Sequence, residues 1–442
     1  MGGLVQAMNE KILVINIHSS KNVGDAALLQ VTIKQLKENF PTSQIVLSMD
    51  DPESHAGSEE TINSISSFVY SYKNDDSAGW NYLRLAILLP VTLLPLIWHK
   101  LFRRKIHILT PTRIRRIVDA YLDSDLVISK PGGFLYSSGR GIILLIAIYS
   151  IVFAQWAGKP IYIFPQSIGP LNRKWESFLI RKLLERIRIV MVREPVSFQL
   201  IKNIGVQNQS IYVLPDPAFC LPDIGPEFGY QWLQKQGFTP QTGFPILGMT
   251  VINWGAQNKS FTLQAEYESA CVRAVSYFIE TIKGRVILFP QVYGPLSSQD
   301  DRIPAHRIID KLSHLAGMVA VIDQPIPAEQ LKSIYGWMDI FIGTRMHSNI
   351  FALSKGVPII AIGYLHKTEG IARMVGVEEW VIDIKNMKGN VLQEKLTELW
   401  KARQEWKNRI QEKLPSIIEE ANRAGKLVAD DYYSHLLVIK NG

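Results

Sequence analysis

Two side chains that could bind an anion or move a proton follow a short apolar run near the end of the chain. The segment "GTRMHS", residues 343–348, places Arg345 and His347 directly after the apolar run 338–342. Histidine transfers protons near neutral pH, and arginine grips carboxylate or phosphate through two parallel hydrogen bonds. Lys367 follows the next apolar run, in "GYLHK". The three groups predict a site for an anionic ligand, although a lone histidine is more often a core side chain.

Three segments in the first half could line the same kind of site. The turn "NVGD" carries Asn22 and Asp25, which either meet a ligand or cap the helix that follows. In "KPGGF", Gly132 and Gly133 let a ligand approach backbone amides, or they form a plain turn. Arg193 follows an apolar strand in "MVREPVS" and is a second anion-binding candidate, unless it pairs with a neighbouring acid.

The elements that must position these residues alternate between strand and helix. Short buried runs such as "ILVINI" are typical of parallel strands, and amphipathic segments separate them. This pattern predicts an α/β fold with two Rossmann-like domains facing a cleft, similar to GT-B enzymes. We expect an N-terminal domain over 1–220 with an insertion near 75–116, a C-terminal domain over 243–385, and a closing helix and tail over 390–442. The segment 214–229 is the expected linker.

Composition narrows the class of protein further. The chain has 442 residues, a formal net charge of +8 and two distant cysteines. Those cysteines form no disulfide framework or zinc site, we see no metal-ligand cluster, and a reducing compartment is expected. We read no signal peptide and expect a cytoplasmic protein. The positive charge suits anionic partners, but the basic run lacks interleaved stacking aromatics, so nucleic-acid binding is not expected.

The insertion contains an apolar stretch, 83–98, followed by seven Lys or Arg residues between 100 and 116 with no acid among them. Pro90 and Pro95 interrupt the stretch. It is either a buried or hydrophobic loop, a hook that lies in a membrane interface, or a true membrane span. The basic run favours contact of 83–116 with a membrane surface, at the cytoplasmic face.

Several motifs in order resemble those of the polysaccharide pyruvyl transferase family. They are "NVGDAALL", "PGGFL", "FPQSIGPL", "VREPVSFQLIKNIGV", "LPDPAF" and above all "DIFIGTRMHSNIFALSKGVPIIAIGYLHK". The resemblance covers about residues 11–382 and implies a GT-B-like fold. It also implies transfer of a pyruvyl group from phosphoenolpyruvate to a sugar as a ketal, with release of phosphate. The chain departs from the family at its glycine turn, which has two glycines where many members have three, and at 75–116.

The resemblance also assigns roles to the candidate residues. His347 matches the motif histidine that transfers a proton or binds phosphate. The position of Asp25 directly after Gly24 places it on the expected cleft rim, where it could accept a proton from the sugar hydroxyl. Phosphoenolpyruvate serves as the donor substrate, and no cofactor or metal is expected. The substrate-binding residues expected are Arg193, Arg345, Lys367, Asn22, Gly132 and Gly133.

Two other functions remain open at this point. A GT-B glycosyltransferase that uses a nucleotide sugar would share the architecture, because a fold does not fix a function. A catalytically inert scaffold on a membrane surface would need only the apolar stretch and the basic run. The acceptor sugar, free or lipid-linked, is not fixed by the sequence.

Overall fold

The computed structural model describes residues 9–55, 61–68, 78–106, 110–137, 142–240, 243–294 and 297–441. The chain divides into two compact units. The first comprises Met1–Ser20, Leu28–Leu214 and Asn422–Gly442, and the second comprises Lys21–Ala27 and Pro215–Ala421. The division falls at Leu214/Pro215, six residues before the expected end of the N-terminal domain at 220, and the last segment of the chain belongs to the first unit.

The first unit is built on an eight-stranded sheet whose strand pairs are parallel. Its strands are β1 (Lys11–Ile17), β2 (Gln44–Met49), β3 (Ile62–Ser66), β4 (Leu126–Ser129), β5 (Gly132–Leu135), β6 (Ile161–Ile168), β7 (Ile189–Val192) and β8 (Ile211–Val213). Their order is β3-β2-β1-β4-β6-β7-β8, and β5 pairs with β6. The helices are α1 (Val23–Asn39), α2 (Ala78–Phe102), α3 (Thr112–Asp123), α4 (Ile142–Trp156), α5 (Lys174–Leu184), α6 (Pro195–Asn203) and, at the end of the chain, α15 (Arg423–Asn441).

Both faces of this sheet are covered, as the continuous apolar strands require. Side chains alternate between the two faces of a strand. In β1, Leu13 and Ile15 belong to one buried cluster, which includes residues of α3, α4, α5 and α6. Ile12 and Val14 belong to a second cluster, with residues of α1 and α15. Helix α4 lies inside the first cluster.

The second unit is built on a six-stranded parallel sheet. Its strands are β9 (Ile246–Thr250), β10 (Arg285–Leu288), β11 (Val319–Val321), β12 (Ile340–Gly343), β13 (Ile359–Gly363) and β14 (Val381–Asp383), in the order β11-β10-β9-β12-β13-β14. The helices are α7 (Pro226–Lys235), α8 (Trp254–Gln257), α9 (Gln264–Glu280), α10 (Arg302–Asp310), α11 (Ala328–Tyr335), α12 (Met346–Leu353), α13 (His366–Val375) and α14 (Val391–Ala421). The expected linker 214–229 contains a short 3-10 helix, Pro217–Cys220, and the start of α7.

The apolar stretch of the insertion is helical, so the loop alternative for 83–98 is wrong. Helix α2 continues through Pro90 and Pro95. Leu88 and Leu96 are buried in the first core cluster, and this tertiary packing holds the helix together despite its prolines. Part of the insertion, 75–77 and 107–109, lies outside the described residues. Among the helices that the structure describes, none combines the length and apolarity needed to cross a membrane.

Candidate active site

A network of buried hydroxyl groups holds the turn after β12 in the second unit. The hydroxyl of Thr250, at the end of the neighbouring strand β9, accepts hydrogen bonds from the backbone N–H groups of Thr344 (3.1 Å) and Arg345 (3.3 Å). It also lies 2.8 Å from the hydroxyl of Ser348. The hydroxyl of Tyr267 lies 2.8 Å from that of Thr344. These bonds fix the backbone immediately before α12, so the first turn of α12 has a defined place.

Arg345, directly before α12, forms an ion pair with the fully buried Asp301. Its Nε donates to Oδ2 at 2.9 Å and its Nη2 to Oδ1 at 2.5 Å. Asp301 also accepts from the backbone N–H groups of Gln291 (3.2 Å) and Val292 (3.1 Å), and Tyr364 hydrogen-bonds to Arg345. Burial raises the pKa of Asp301, and Arg345 opposes that rise. Burial alone would lower the pKa of Arg345, but the Asp301 carboxylate outweighs it and the pKa rises. The pair links the turn after β12 to the loop after β10.

The first turn of α1 is anchored to that same loop. The N–H of Val23 donates to the carbonyl of Gln291 at 3.2 Å. The Oδ1 of Asn22 accepts from the backbone N–H groups of Gly24 at 3.0 Å and Asp25 at 3.3 Å. Asn22 thus forms the N-cap that its turn sequence allowed. The half-buried Asp25 follows in the first turn of the helix.

The ring of His347 lies against Gly24. A Cβ built on residue 24 would come to 2.9 Å from the Cβ of His347 and would overlap its ring on the Nδ1 side. The other ring nitrogen, Nε2, is 4.0 Å from Oδ2 of Asp216, which is fully buried. Oδ1 of Asp216 accepts from the N–H of Ala218 at 2.9 Å. Because 4.0 Å is longer than a hydrogen bond, Asp216 acts on the imidazole through its charge.

The surroundings of His347 suit proton transfer or the binding of an anion. A carboxylate close to an imidazole favours the protonated ring, which can donate a proton to a substrate or bind an anion. His347 is also the second residue of α12, where the helix N-terminus attracts negative charge. The structure therefore places an imidazole, a buried carboxylate and the turn that carries Asp25 in one part of the second unit.

Lys367 lies in the first turn of α13, after β13. Strand β13 pairs in parallel with β12, so Lys367 and Arg345 follow the carboxyl ends of adjacent strands, as the sequence predicted. Lys367 is partly exposed. Between them in sequence, Tyr364 packs its ring against Trp254, with centroids 4.6 Å apart.

The remaining predicted residues lie in the first unit, at the carboxyl ends of its central strands. Arg193 follows β7, is 1% exposed, and donates from Nε to the hydroxyl of Ser167 at 2.7 Å. The carboxylate of Glu194, the next residue, accepts from the N–H and the hydroxyl of Ser197 and so caps α6. Lys130, which follows β4, is also 1% exposed. Both cationic side chains are therefore buried at the carboxyl edge of this sheet.

Gln166, at the end of β6, lies between the strands that carry these residues. It pairs with Gly132 of β5 on one side and with Val192 of β7 on the other. Gly132 has φ +150°, a backbone conformation that favours glycine. The side chain of Gln166 is fully buried, and within the described part of the chain neither of its amide atoms has a hydrogen-bond partner. A buried amide of this kind is costly unless a ligand or water completes its bonds.

The second unit contains a matching motif, but its glutamine is hydrogen-bonded. "FPQSIGP" contains Gln166, and "LFPQVYGP" contains Gln291. Gln291 is also buried, but its Nε2 donates to the hydroxyl of Tyr335 at 3.0 Å. Gln291 is therefore part of the core of the second unit. Gln166 has an amide whose hydrogen-bonding groups no described residue uses.

The structure groups the predicted residues in two sets. Asn22, Asp25, Arg345, His347 and Lys367 belong to the second unit, and Gly132, Gly133 and Arg193 belong to the first. Sequence reasoning missed four residues of these sites. Asp216 lies inside the motif "LPDPAF" and Gln166 inside "FPQSIGPL", so both motifs could have pointed to them. Lys130 directly precedes "PGG". Asp301 carries no sequence signal.

Within the described residues, no group of three or more His, Cys, Asp or Glu side chains is placed to hold a metal ion. The expectation of metal-free, cofactor-free chemistry stays a prediction.

Comparison with known proteins gives a family match. Residues 22–366 match the family model described as polysaccharide pyruvyl transferase. The amylovoran biosynthesis protein AmsJ of Erwinia amylovora is 23% identical over 390 residues, which covers 86% of this chain and 90% of AmsJ.

Solved structures show the same fold at low sequence identity. HepE of Anabaena in complex with UDP-glucose superposes with a TM-score of 0.56 at 11% identity, over 96% of this chain and 99% of that one. A putative UDP-N-acetylglucosamine 2-epimerase of Listeria monocytogenes gives 0.56 at 10% identity, over 94% of each chain. Sucrose-phosphate synthase of Thermosynechococcus elongatus gives 0.56 at 11% identity, over 97% and 100%. The predicted fold class, α/β with two Rossmann-like, GT-B-like domains, is confirmed.

Proposed function

The chain belongs to the polysaccharide pyruvyl transferase family, and from that premise we propose that it moves the pyruvyl group of phosphoenolpyruvate onto a sugar of a polysaccharide or of its lipid-linked precursor. The observation that carries the proposal is the imidazole of His347, seated on Gly24 with a buried carboxylate 4.0 Å from Nε2. A family match supports a transferase that modifies a polysaccharide, and the imidazole supplies the proton that pyruvyl transfer needs.

The reaction has a clear proton balance. C3 of phosphoenolpyruvate gains a proton and becomes a methyl group, which leaves cation character at C2. One sugar hydroxyl forms a bond to C2 and loses its proton. The C2–O bond to phosphate then breaks, and a second hydroxyl closes the ketal as its proton leaves. One proton is consumed, two are released, and inorganic phosphate is the other product.

His347 is assigned to the proton that reaches C3, or to the departing phosphate, and Asp216 stabilises its charged form. A general acid of this kind contributes roughly 10²–10⁴-fold to the rate. Asp25 is assigned to the proton of the attacking hydroxyl, because the turn that seats His347 also places this carboxylate. Its half-buried position keeps one side open to a sugar.

The anionic groups of the donor need cationic partners and backbone amides. We assign Arg193 to the carboxylate or the phosphate, with Gly132 and Gly133 allowing close approach of the backbone. Arg345 contributes positive charge, but its ion pair with Asp301 makes it first of all the residue that positions α12. Lys367 and Asn22 complete the proposed set.

The test is incubation of the purified protein with phosphoenolpyruvate and candidate free or lipid-linked oligosaccharides. We expect phosphate release together with a glycan mass gain equal to pyruvate less one water. His347→Ala should remove most of both signals while the thermal unfolding curve is kept. Release of phosphate without any glycan product, or full turnover in that variant, would overturn the assignment.

A parallel incubation with UDP-sugars tests the glycosyltransferase alternative. Transfer of a hexose instead of a pyruvyl group would establish that alternative. If neither donor is used and phosphoenolpyruvate does not bind in a calorimetric titration, the inert-scaffold alternative would stand.

A further inference from the structure

Helix α2 of the insertion has two different faces. Leu88, Thr92 and Leu96 are buried, and the hydroxyl of Thr92 lies 2.5 Å from that of Tyr149. The opposite face is exposed to water and almost wholly apolar. Its exposed large side chains are Ile87, Leu94, Ile97, Trp98, Leu101 and Phe102. We call these six residues the apolar stripe.

The apolar stripe is a continuous surface feature. Residues 87, 94, 97, 98 and 101 recur at spacings of three, four or seven, which places them on one side of a helix. Leu94 is 66% exposed and Leu101 is 70% exposed. At its end, the rings of Trp98 and Phe102 are in contact, with centroids 4.3 Å apart. Contiguous exposed apolar surface of this kind marks an interaction site.

Basic side chains adjoin the stripe at its C-terminal end. Lys100, Arg103 and Arg104 are exposed, and among the described residues no carboxylate pairs with them. Helix α3, which packs against α2, adds exposed arginines 113, 115 and 116 in its first two turns. Within the described residues, the ion pairs in this part of the fold join Asp119 and Asp123 to Lys105, and Asp119 to Arg115. Positive charge therefore lies next to the apolar surface.

A depression of about 500 Å³ opens beside the end of α2. It is lined by four basic side chains, His99, Lys100, Arg103 and Lys159, and by apolar side chains that include Leu96. Nδ1 of His99 is buried without a hydrogen-bond partner among the described residues. Nζ of Lys159 donates to two backbone carbonyls of the fold, so Lys100 and Arg103 are the lining cations without such a bond among the described residues. The lining suits a phosphate group.

We propose that the apolar stripe and the adjoining basic residues dock the protein onto the surface of an anionic lipid bilayer, with a lipid phosphate at the depression beside α2. The stripe enters the boundary between head groups and acyl chains, Trp98 lies at the interface, and the arginines and lysines meet the phosphates. An apolar surface and an adjoining basic cluster together are the two features that stable attachment to a membrane needs. The inference does not depend on the chemistry proposed above.

A second copy of the chain is the competing occupant of this face. In a symmetric dimer the stripe of one copy would cover the stripe of the other, with each residue facing a different residue of its partner. Because the described part of this patch offers Lys100, Arg103 and Arg104 no free carboxylate, such a dimer would leave their positive charge uncompensated. An anionic surface has the complementary charge, which is why we favour it.

The experiment is co-sedimentation of the full chain with vesicles of phosphatidylglycerol and phosphatidylcholine, and with vesicles of phosphatidylcholine alone. We expect binding to the anionic vesicles at low salt, only partial release at high salt, and at least tenfold weaker binding to neutral vesicles. The triple variant Leu94→Ser/Ile97→Ser/Leu101→Ser should lose at least tenfold in binding at every salt concentration. Lys100→Gln/Arg103→Gln/Arg104→Gln should lose binding mainly at low salt.

The matched control is Leu437→Ser/Val438→Ser, which removes two exposed apolar side chains from α15 of the same unit. It should bind vesicles as the wild type does, and circular dichroism should show that every variant is folded. The proposal is overturned if the wild type ignores anionic vesicles at low salt, or if the control loses binding as strongly as the stripe variant. It is also overturned if light scattering shows a dimer that the stripe variant abolishes while vesicle binding is absent.

Discussion

The ring of His347 occupies the space that any side chain on residue 24 would need. Gly24 is in the first turn of α1, and its N–H is bonded to the Asn22 cap at 3.0 Å, so the backbone cannot easily move away. Gly24 and His347 are more than three hundred residues apart in the sequence, but the position of one depends on the other. The contact is why a turn that looks like a simple helix start bears on the chemistry.

Gly24→Ala should therefore lower turnover without unfolding the protein. The added methyl group must displace the imidazole, and small misplacements of a catalytic group can cost about 10²-fold in rate. The measurement is phosphate release from phosphoenolpyruvate, with a thermal melt of the same sample. Gly363→Ala is the matched control, because a Cβ there would meet Thr368 at 3.5 Å and Val381 at 3.6 Å, which are ordinary contacts. Equal activity of the two variants would show that the His347 position tolerates the methyl group.

Asp216→Asn should lower turnover while the protein stays folded. Its carboxylate is fully buried 4.0 Å from Nε2 of His347, so it stabilises positive charge on the imidazole during proton transfer. The amide keeps the size of the side chain, and its oxygen can still accept from the N–H of Ala218, as Oδ1 does now. We expect kcat to fall with little change in the thermal unfolding temperature. A loss of kcat matched by a loss of stability would assign Asp216 to the fold alone.

The pair of Arg345 and Asp301 should behave as a buried ion pair. Arg345→Met leaves the Asp301 carboxylate, which is fully buried, without its guanidinium, and breaking such a pair costs roughly 3–5 kcal/mol. The double variant Arg345→Met/Asp301→Asn should lose less than the sum of the two single variants. Urea unfolding of all four proteins measures the coupling. Additive losses would mean that the two residues contribute independently.

The sequence predicted the parallel α/β fold because short buried strands and amphipathic helices have distinct periods. It also predicted which residues follow strand ends, including Arg193 and His347. It did not predict Asp301, because nothing local distinguishes an acid in a polar loop from one that folds back onto Arg345. The helical state of α2 was not predicted, because the expectation that proline breaks a helix applies to an isolated helix. In the fold, Leu88 and Leu96 pack α2 against the first core cluster.

Arg193→Ala should weaken binding of the donor. A charge-assisted hydrogen bond to an anion contributes roughly 1.5–3 kcal/mol, which corresponds to about a tenfold to hundredfold rise in the apparent Kd. Calorimetric titration with phosphoenolpyruvate measures it. Because Nε of Arg193 donates to the hydroxyl of Ser167, Ser167→Ala measures how much that positioning hydrogen bond contributes to donor affinity. Donor affinity that is unchanged in a folded Arg193 variant would make this arginine structural.

Gln166 and Gln291 allow a sharper test, because they occupy the same motif in the two units. The amide of Gln166 has no hydrogen-bond partner among the described residues, whereas that of Gln291 is bonded to Tyr335 at 3.0 Å. Removing a bonded amide costs stability, while removing an unsatisfied one does not. Gln291→Leu should therefore lower the free energy of unfolding by about 1 kcal/mol, and Gln166→Leu should leave it unchanged or raise it. If Gln166 meets a substrate, its variant should instead raise KM, with the effect confined to one of the two substrates. A Gln166 variant that loses stability and keeps its KM would mean that the amide belongs to the core after all.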